Sequence, residues 1–233
     1  MSAFDSGRGI LCLVTHGDRI AARTGASGRA LEDRLVAQVG EAAAAGVDLV
    51  QVRELDLETP DLCCLVERCL DAAAGLPTRI VVNDRADVAL ATGAHGVHLR
   101  ADSYAAERVR AIVPGGFLLG RSVHDPEEAA SVAASGAVDY IIFGTVFASA
   151  CKAPGHRTAG LDGLAAAAAA AAPVPVLAIG GVSVVSAAAL RRAGAAGLAA
   201  IGLFLPGEVG AEGTLAATVR RLRAAFDSPG DLS

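Results

Sequence analysis

Short, continuous apolar runs rich in β-branched residues alternate along the chain with longer segments of Ala, Leu and Arg. The runs are Ile10–Val14, Leu49–Val52, Ile80–Val82, Gly96–Leu99, Phe117–Leu119, Tyr140–Phe143, Val174–Ile179 and Gly197–Ile201. Between them lie helix-like stretches near residues 29–45, 59–74, 85–92, 103–112, 126–135, 161–172, 183–192 and 207–226. Apolar runs without strict polar alternation suit parallel strands covered on both faces. The alternation predicts a repeated strand–helix unit, closed as a (β/α)8 TIM barrel or laid open as a doubly wound sheet.

A recurring joint favours the barrel. Ala45-Gly46-Val47-Asp48, Gly93-Ala94-His95-Gly96, Ser135-Gly136-Ala137-Val138-Asp139 and Ala193-Gly194-Ala195-Ala196-Gly197 each stand between a predicted helix and the next strand. Each supplies a glycine where the helix must stop, just before an apolar run. The tract Ala165–Ala172 reads as a high-propensity helix ended by Pro173. No linker divides the chain. A single domain over residues 1–233 is expected, with its core at about 10–226 and a fraying tail after Asp227.

Composition narrows the function. Hydrophobic residues make up 53% of the 233, ample for a core, and a barrel of this kind typically takes about 250 residues. Aromatic residues are only 3%, Trp is absent and the net charge is −5, all of which argue against a nucleic-acid binder. No apolar run reaches the roughly 18 residues of a membrane span, and the N-terminal stretch does not read as a signal peptide. Cys12, Cys63, Cys64, Cys69 and Cys151 show no CxxC spacing, so a reducing cytoplasm is expected rather than a disulfide framework. Cys63, Cys64 and Cys69 are expected to be buried on a helix.

In a (β/α)8 barrel the residues just after each strand carry the chemistry. Here they are Thr15 and His16; Gln51, Arg53 and Glu54; Asn83 and Asp84; Arg100, Asp102 and Ser103; Arg121, Ser122 and His124; Thr145, Ser149, Cys151 and Lys152; Gly180 and Gly181; and Gly202. Lys152 is the only lysine, against 19 arginines, which points to a site requiring a compact ammonium. Gly180-Gly181 before Ser183 suggests a strand end opening directly into a helix, with backbone amides available to a phosphate. Of the histidines, His95 precedes its strand, His98 lies inside one, and His16 and His156 sit ambiguously in loops. His124 stands at a strand end and suits proton transfer near neutral pH. No cluster has zinc spacing.

Five segments together resemble one family. They are Gln51-Val52-Arg53-Glu54, Val82-Asn83-Asp84-Arg85-Ala86-Asp87, Gly120-Arg121-Ser122-Val123-His124, Gly144-Thr145-Val146-Phe147-Ala148-Ser149-Ala150-Cys151-Lys152 and Ala178-Ile179-Gly180-Gly181-Val182. In order and spacing they resemble the thiamin phosphate synthase superfamily over roughly residues 10–226. The resemblance implies a (β/α)8 barrel that binds thiazole phosphate.

That superfamily has two branches. The synthase branch joins hydroxymethylpyrimidine pyrophosphate to thiazole phosphate with Mg2+. Its pattern has a lysine where this chain has Leu55, and a second metal-binding aspartate where this chain has Ser103, with Asp102 one position early. Asp84 and Asp102 would be the metal ligands on that alternative. The other branch is the TenI-type thiazole tautomerase, an isomerase. The segments around His124 and Cys151-Lys152 are closer to it, so the tautomerase is the expected activity. The resemblance then implies His124 and Lys152 as catalytic, and Gln51, Arg53, Asn83, Asp84, Ser122, Thr145 and Cys151 as substrate-binding. Gly180, Gly181 and Gly202 would bind phosphate, and neither metal nor organic cofactor is needed. The expected partner is a small phosphorylated thiazole, with no nucleic acid and no membrane; a homo-oligomer is compatible with the sequence. A second alternative is a non-catalytic thiazole phosphate-binding protein.

Overall fold

The strands form on the apolar runs because those segments have nowhere to put their side chains but two covered faces. The computed structural model describes residues 4, 8–149, 157–205 and 214–227. Its strands are β1 (Ile10–Val14), β2 (Leu49–Val52), β3 (Arg79–Asn83), β4 (Gly96–Leu99), β5 (Leu118–Val123), β6 (Tyr140–Gly144), β7 (Val176–Ile179) and β8 (Gly197–Ala200). Their order is sequential and the sheet closes as a barrel, which makes the architecture (β/α)8. The helices are α1 (Gly17–Thr24), α2 (Gly28–Ala44), α3 (Thr59–Ala72), α4 (Ala86–Thr92), α5 (Ala106–Arg110), α6 (Pro126–Ala134), α7 (Gly160–Ala171), α8 (Ala187–Arg192) and α9 (Leu215–Asp227).

The repeated helix–strand joint is realised as expected. Gly46, Gly93, Gly136 and Gly194 all adopt positive φ, at 91°, 72°, 65° and 87°. A side chain would be strained there, so the glycine is what lets each helix turn into its strand.

Backbone contacts group the described residues into two compact units. One draws on Cys12–Val97 and Ala200–Arg221. In it β1, β2 and β3 pair in parallel, with Val14 opposite Gln51 and Gln51 opposite Val81. Only the Leu62, Leu65, Val66 and Cys69 face of α3 turns inward. Cys63 is therefore half-buried and Cys64 exposed, contrary to the expected burial of all three cysteines. Burial pushes the Cys69 thiol up to about 12, so it packs as a neutral apolar group. The short helix α1 was not expected; it ends at Gly25, whose left-handed backbone lets its N–H reach the Ala21 carbonyl at 2.8 Å.

The other unit draws on Met1–Leu11, His98–Ala199 and Leu222–Ser233. Here β5, β6, β7 and β8 pair in parallel, with Gly120 opposite Tyr140 and Leu177 opposite Gly197. The start of β1 joins β8 through Ile10 N–H to the Ala196 carbonyl at 2.9 Å. α6 packs on α7, and its first turn is capped by Asp125, whose Oδ1 accepts from the Glu128 N–H at 2.9 Å. Several elements differ from expectation, among them α5, which is shorter than the stretch expected near 103–112. β7 starts at Val176 rather than Val174, because Pro175 has no N–H to donate. α8 begins at Ala187 rather than 183, because Ser183 and Ser186 bond each other first. β5 runs on to Val123, which places Arg121 and Ser122 inside the strand. Among the described residues no helix is long and apolar enough to cross a membrane.

Candidate active site

In the Cys12–Val97 unit the residues following β1, β2 and β3 form a connected polar set. Glu54 turns back across the strand ends: it accepts from Thr15 Oγ1 at 2.6 Å and from the Gly17 N–H at 2.8 Å. Thr15 Oγ1 in turn accepts from the Arg53 N–H at 2.9 Å. A β-carbon on Gly17 would lie 2.6 Å from Glu54 Oε2, so the bare backbone is what allows this approach. Burial raises the Glu54 carboxyl above its ordinary value, opposed by the two bonds it accepts. Burial and then Arg53 lower the imidazole of His16. The Gln51 amide donates to Asn83 Oδ1 at 2.8 Å, and both side chains are buried. Asp84 takes φ 57°, a left-handed conformation that only a few non-glycine residues tolerate. Gly202 opens a short 3-10 turn through Phe204, whose carbonyl accepts from the buried Gln38 amide at 2.8 Å.

Glu54 was expected to face a ligand and instead fixes the β1–α1 turn. Replacing Glu54 with Ala leaves the Thr15 hydroxyl and Gly17 amide without it, at a cost of roughly 1–3 kcal/mol. Urea unfolding of Glu54→Ala against the parent measures this loss directly.

In the His98–Ala199 unit, His98 is 1% exposed and uses both ring nitrogens. Nδ1 lies 3.1 Å from the Tyr140 hydroxyl and Nε2 lies 2.8 Å from Ser122 Oγ. The sequence places His98 inside one apolar run and Tyr140 at the start of another; neither pattern reveals that the two meet. Their signal is Gly120, which the register sets opposite Tyr140. Arg121 donates to the carbonyls of Ala101 at 2.9 Å and Ser103 at 3.2 Å, and also to that of Tyr104, so it folds the loop after β4 around itself. Within that loop Arg100 grips Asp102 through Nε at 2.9 Å and through Nη2, which holds this carboxyl below the usual carboxylate range. The Ser103 hydroxyl accepts from the Arg100 N–H at 2.9 Å.

His124 is exposed after β5, and its Nδ1 contacts the Gly144 carbonyl. A carbonyl only accepts, so Nδ1 carries a proton; in the neutral imidazole Nε2 then keeps the lone pair. Thr145 is buried against the glycine pair: a β-carbon on Gly180 would lie 2.4 Å from Thr145 Cγ2, and one on Gly181 2.3 Å from the Ala148 carbonyl. Both glycines have positive φ, 96° and 61°. They lead into the reciprocal Ser183–Ser186 turn, not into the helix terminus expected there. Cys151, Lys152 and His156 lie outside the described residues. A cavity of about 480 Å3 opens at the opposite, N-terminal ends of β1, β7 and β8, beside Phe4, Arg8, Pro175, Arg191 and Phe226, and includes none of the candidate residues.

A (β/α)8 barrel with polar side chains concentrated after its strands defines an enzyme scaffold of the small-molecule type. The chain belongs to the Thiamine monophosphate synthase family, whose pattern it matches over residues 23–204. It is 38% identical over 200 residues to a thiamine-phosphate synthase of Roseiflexus castenholzii, covering 85% of this chain and 82% of that one. To the thiamine-phosphate synthase of Methanoculleus marisnigri it is 38% identical over 185 residues, covering 78% and 83%. Among solved structures it is similar to a thiamine phosphate pyrophosphorylase from Pyrococcus furiosus, with a TM-score of 0.75 and 26% identity, over 95% and 97% of the two chains. The chain is thus an enzyme of thiamin biosynthesis. These relatives favour the synthase over the tautomerase that the sequence had suggested.

The residues also bear on the magnesium that a synthase implies. Mg2+ keeps several waters and binds through one or two carboxylates plus substrate phosphates. Asp84 fits that limited part. Asp102 is engaged by Arg100, and Ser103 offers no carboxylate. Among the described residues no three His, Cys, Asp or Glu side chains converge. The residues suit an ion that arrives with a pyrophosphate, not a cage built by the protein.

Proposed function

We propose that the chain is a thiamin phosphate synthase, joining hydroxymethylpyrimidine pyrophosphate to thiazole phosphate. The observation that carries this reading is the 38% identity to a named synthase over more than four-fifths of both chains. In the reaction the thiazole nitrogen bonds to the pyrimidine methylene carbon while the carbon–oxygen bond to pyrophosphate breaks. Arg53, held by its own N–H on Thr15, presents a guanidinium suited to the departing pyrophosphate. Asp84 would hold Mg2+, which neutralises charge on that leaving group. By the resemblance, Gln51, Asn83 and Ser122 are each assigned to orienting polar edges of the substrates and Gly180, Gly181 and Gly202 each to phosphate, while Thr145 packs against Gly180. Lys152 and Cys151 belong to the same proposal through the resemblance alone. A cytoplasmic location belongs to the same proposal.

The experiment is a thiamin phosphate assay with both substrates and Mg2+, run beside aromatisation of the carboxythiazole phosphate in EDTA. Mg2+-dependent thiamin phosphate formation is expected. Arg53→Ala should lower kcat/KM by about 100-fold, the scale of a lost charge-assisted pair.

One observation favours a second reading. His124 directs Nδ1 at the Gly144 carbonyl, which leaves Nε2 as the nitrogen that could exchange a proton, and Leu55, 58% exposed, stands where the synthase pattern has lysine. Metal-independent aromatisation without thiamin phosphate formation would make the chain a tautomerase, with His124 as acid/base. Tight thiazole phosphate binding with neither turnover would make it a binding protein.

A further inference from the structure

The ladder between β1 and β2 ends on a side chain where a carbonyl would be expected. Thr15 N–H donates to the Gln51 carbonyl at 3.0 Å, a regular parallel rung. The next rung of such a pair would run from the Arg53 N–H to the Thr15 carbonyl. Here β1 turns away into α1, and the Arg53 N–H donates to the Thr15 hydroxyl at 2.9 Å. That hydroxyl is itself held, because Glu54 Oε1 lies 2.6 Å from it while Oε2 accepts from the Gly17 N–H at 2.8 Å. One carboxyl group thus ties the end of β2 to the end of β1 and to the first residue of α1.

The same bonds decide what Glu54 leaves alone. It directly follows Arg53, and an uncommitted carboxylate so near a half-buried guanidinium would be drawn to it. Both of its oxygens are taken instead, one by Thr15 and one by Gly17. Among the described residues the Arg53 guanidinium makes no hydrogen bond and no ion pair. Its charge is felt close by: after burial, it is the next cause that lowers the His16 imidazole. A half-buried guanidinium with its donors uncommitted suits an anion that can take two parallel N–H bonds.

We infer that Glu54 is a positioning residue: through Thr15 it fixes the main chain of Arg53, and its own engagement keeps it off the guanidinium, which stays free for the anionic end of the substrate. Glu54 itself touches no substrate in this arrangement. Whether Thr15 or Glu54 supplies the proton of their shared bond does not alter the tie, since the Arg53 and Gly17 N–H groups can only donate. The inference rests on Arg53 meeting pyrophosphate, as proposed above.

The test has two arms, both on the full chain. The first needs no ligand and reads hydrogen exchange at the Arg53 amide. Exchange should quicken by about 10-fold or more in Glu54→Ala and in Thr15→Val, where the accepting hydroxyl is loosened or absent. Thr15→Ser should exchange like the parent. So should Glu54→Gln: its amide oxygen can take the Gly17 N–H while its NH2 donates to Thr15 Oγ1, whose second lone pair keeps the Arg53 N–H. An Arg53 amide as slow in Glu54→Ala and Thr15→Val as in the parent overturns the inference, whatever reaction the chain catalyses. The second arm is the Kd for inorganic pyrophosphate with Mg2+, measured where every variant is folded. Glu54→Ala and Thr15→Val should each weaken binding about 10-fold, and Glu54→Gln and Thr15→Ser by less than about 3-fold. In an Arg53→Ala background Glu54→Ala should add nothing, because both changes act on one contact. Losses that multiply, or a Glu54→Ala protein with a lower urea midpoint but the parent's pyrophosphate affinity, would confine Glu54 to the turn and overturn the positioning role. Arg53→Ala with unchanged pyrophosphate affinity would instead remove the role proposed for Arg53, and this inference with it, while the exchange arm still reports whether Glu54 holds that residue.

Discussion

Acidification from pH 7 to pH 5 is expected to remove roughly 2 kcal/mol of folding stability through His98 alone. The imidazole falls from 6.5 to about 3 on folding, chiefly because burial disfavours its charged form. Between those values the unfolded chain binds a proton that the folded one refuses. Stability is therefore full above about pH 6.5 and declines as pH drops toward 3, reaching a loss of about 4 kcal/mol there at roughly 1.4 kcal/mol for each pH unit. His16 and His95 are shifted in the same direction and add to the slope in any variant that keeps them. The measurement is the urea midpoint at several pH values for the parent and for His98→Gln. The variant will be less stable at pH 7, having lost a buried bonded group, but its decline below pH 6.5 should be shallower by about 2 kcal/mol at pH 5. Parallel declines would mean that His98 is not buried as a neutral base.

A larger loss is expected from a single methyl group at residue 197. A β-carbon on Gly197 would lie 2.0 Å from the Ile10 carbonyl oxygen and 2.5 Å from Leu177 Cδ2. The obstruction on one side is backbone, which cannot rotate aside as a side chain can. It is also the backbone that pairs β8 with the start of β1, through Ile10 N–H and the Ala196 carbonyl. Gly197→Ala must force these strands apart or fail to close them, at about 3 kcal/mol or more. Gly115→Ala is the control: nothing lies within 4 Å of its β-carbon, so its stability should stay within about 0.5 kcal/mol of the parent. A Gly197→Ala protein as stable as that control would contradict the close approach of the two strands.

The fold was legible because parallel strands announce themselves as apolar runs and four of the helix–strand joints carry a glycine that the turn requires. Element ends were less so where local bonds compete with the ladder or the helix. Ser183 and Ser186 satisfy one another and delay α8, and Pro175 shortens β7. The position of the candidate residues along the strands was legible, but their wiring was not. Arg53 and Asp84 follow their strands and Asn83 ends its own, yet Glu54 beside Arg53 serves the turn at Gly17. His98 carries no sequence mark of its partners, since Ser122 is 24 residues away and Tyr140 is 42. Periodicity reports which face a residue occupies; it says nothing of which distant hydroxyl shares that face.

The bonds at Gly9 have a consequence for the order of synthesis. Its N–H is held by Asp227 Oδ1 at 2.9 Å, a partner 218 positions later, and its carbonyl accepts from Arg223. At about 5–20 residues per second a ribosome needs roughly 10–40 s to bring that partner into existence after residue 9. For most of that interval, until β8 is made, β1 has one edge unpaired, an apolar ribbon whose neighbour has yet to be made. The growing chain is then open to pairing with other nascent copies, and holdase chaperones that cover extended apolar segments should act on it before its last helix is complete.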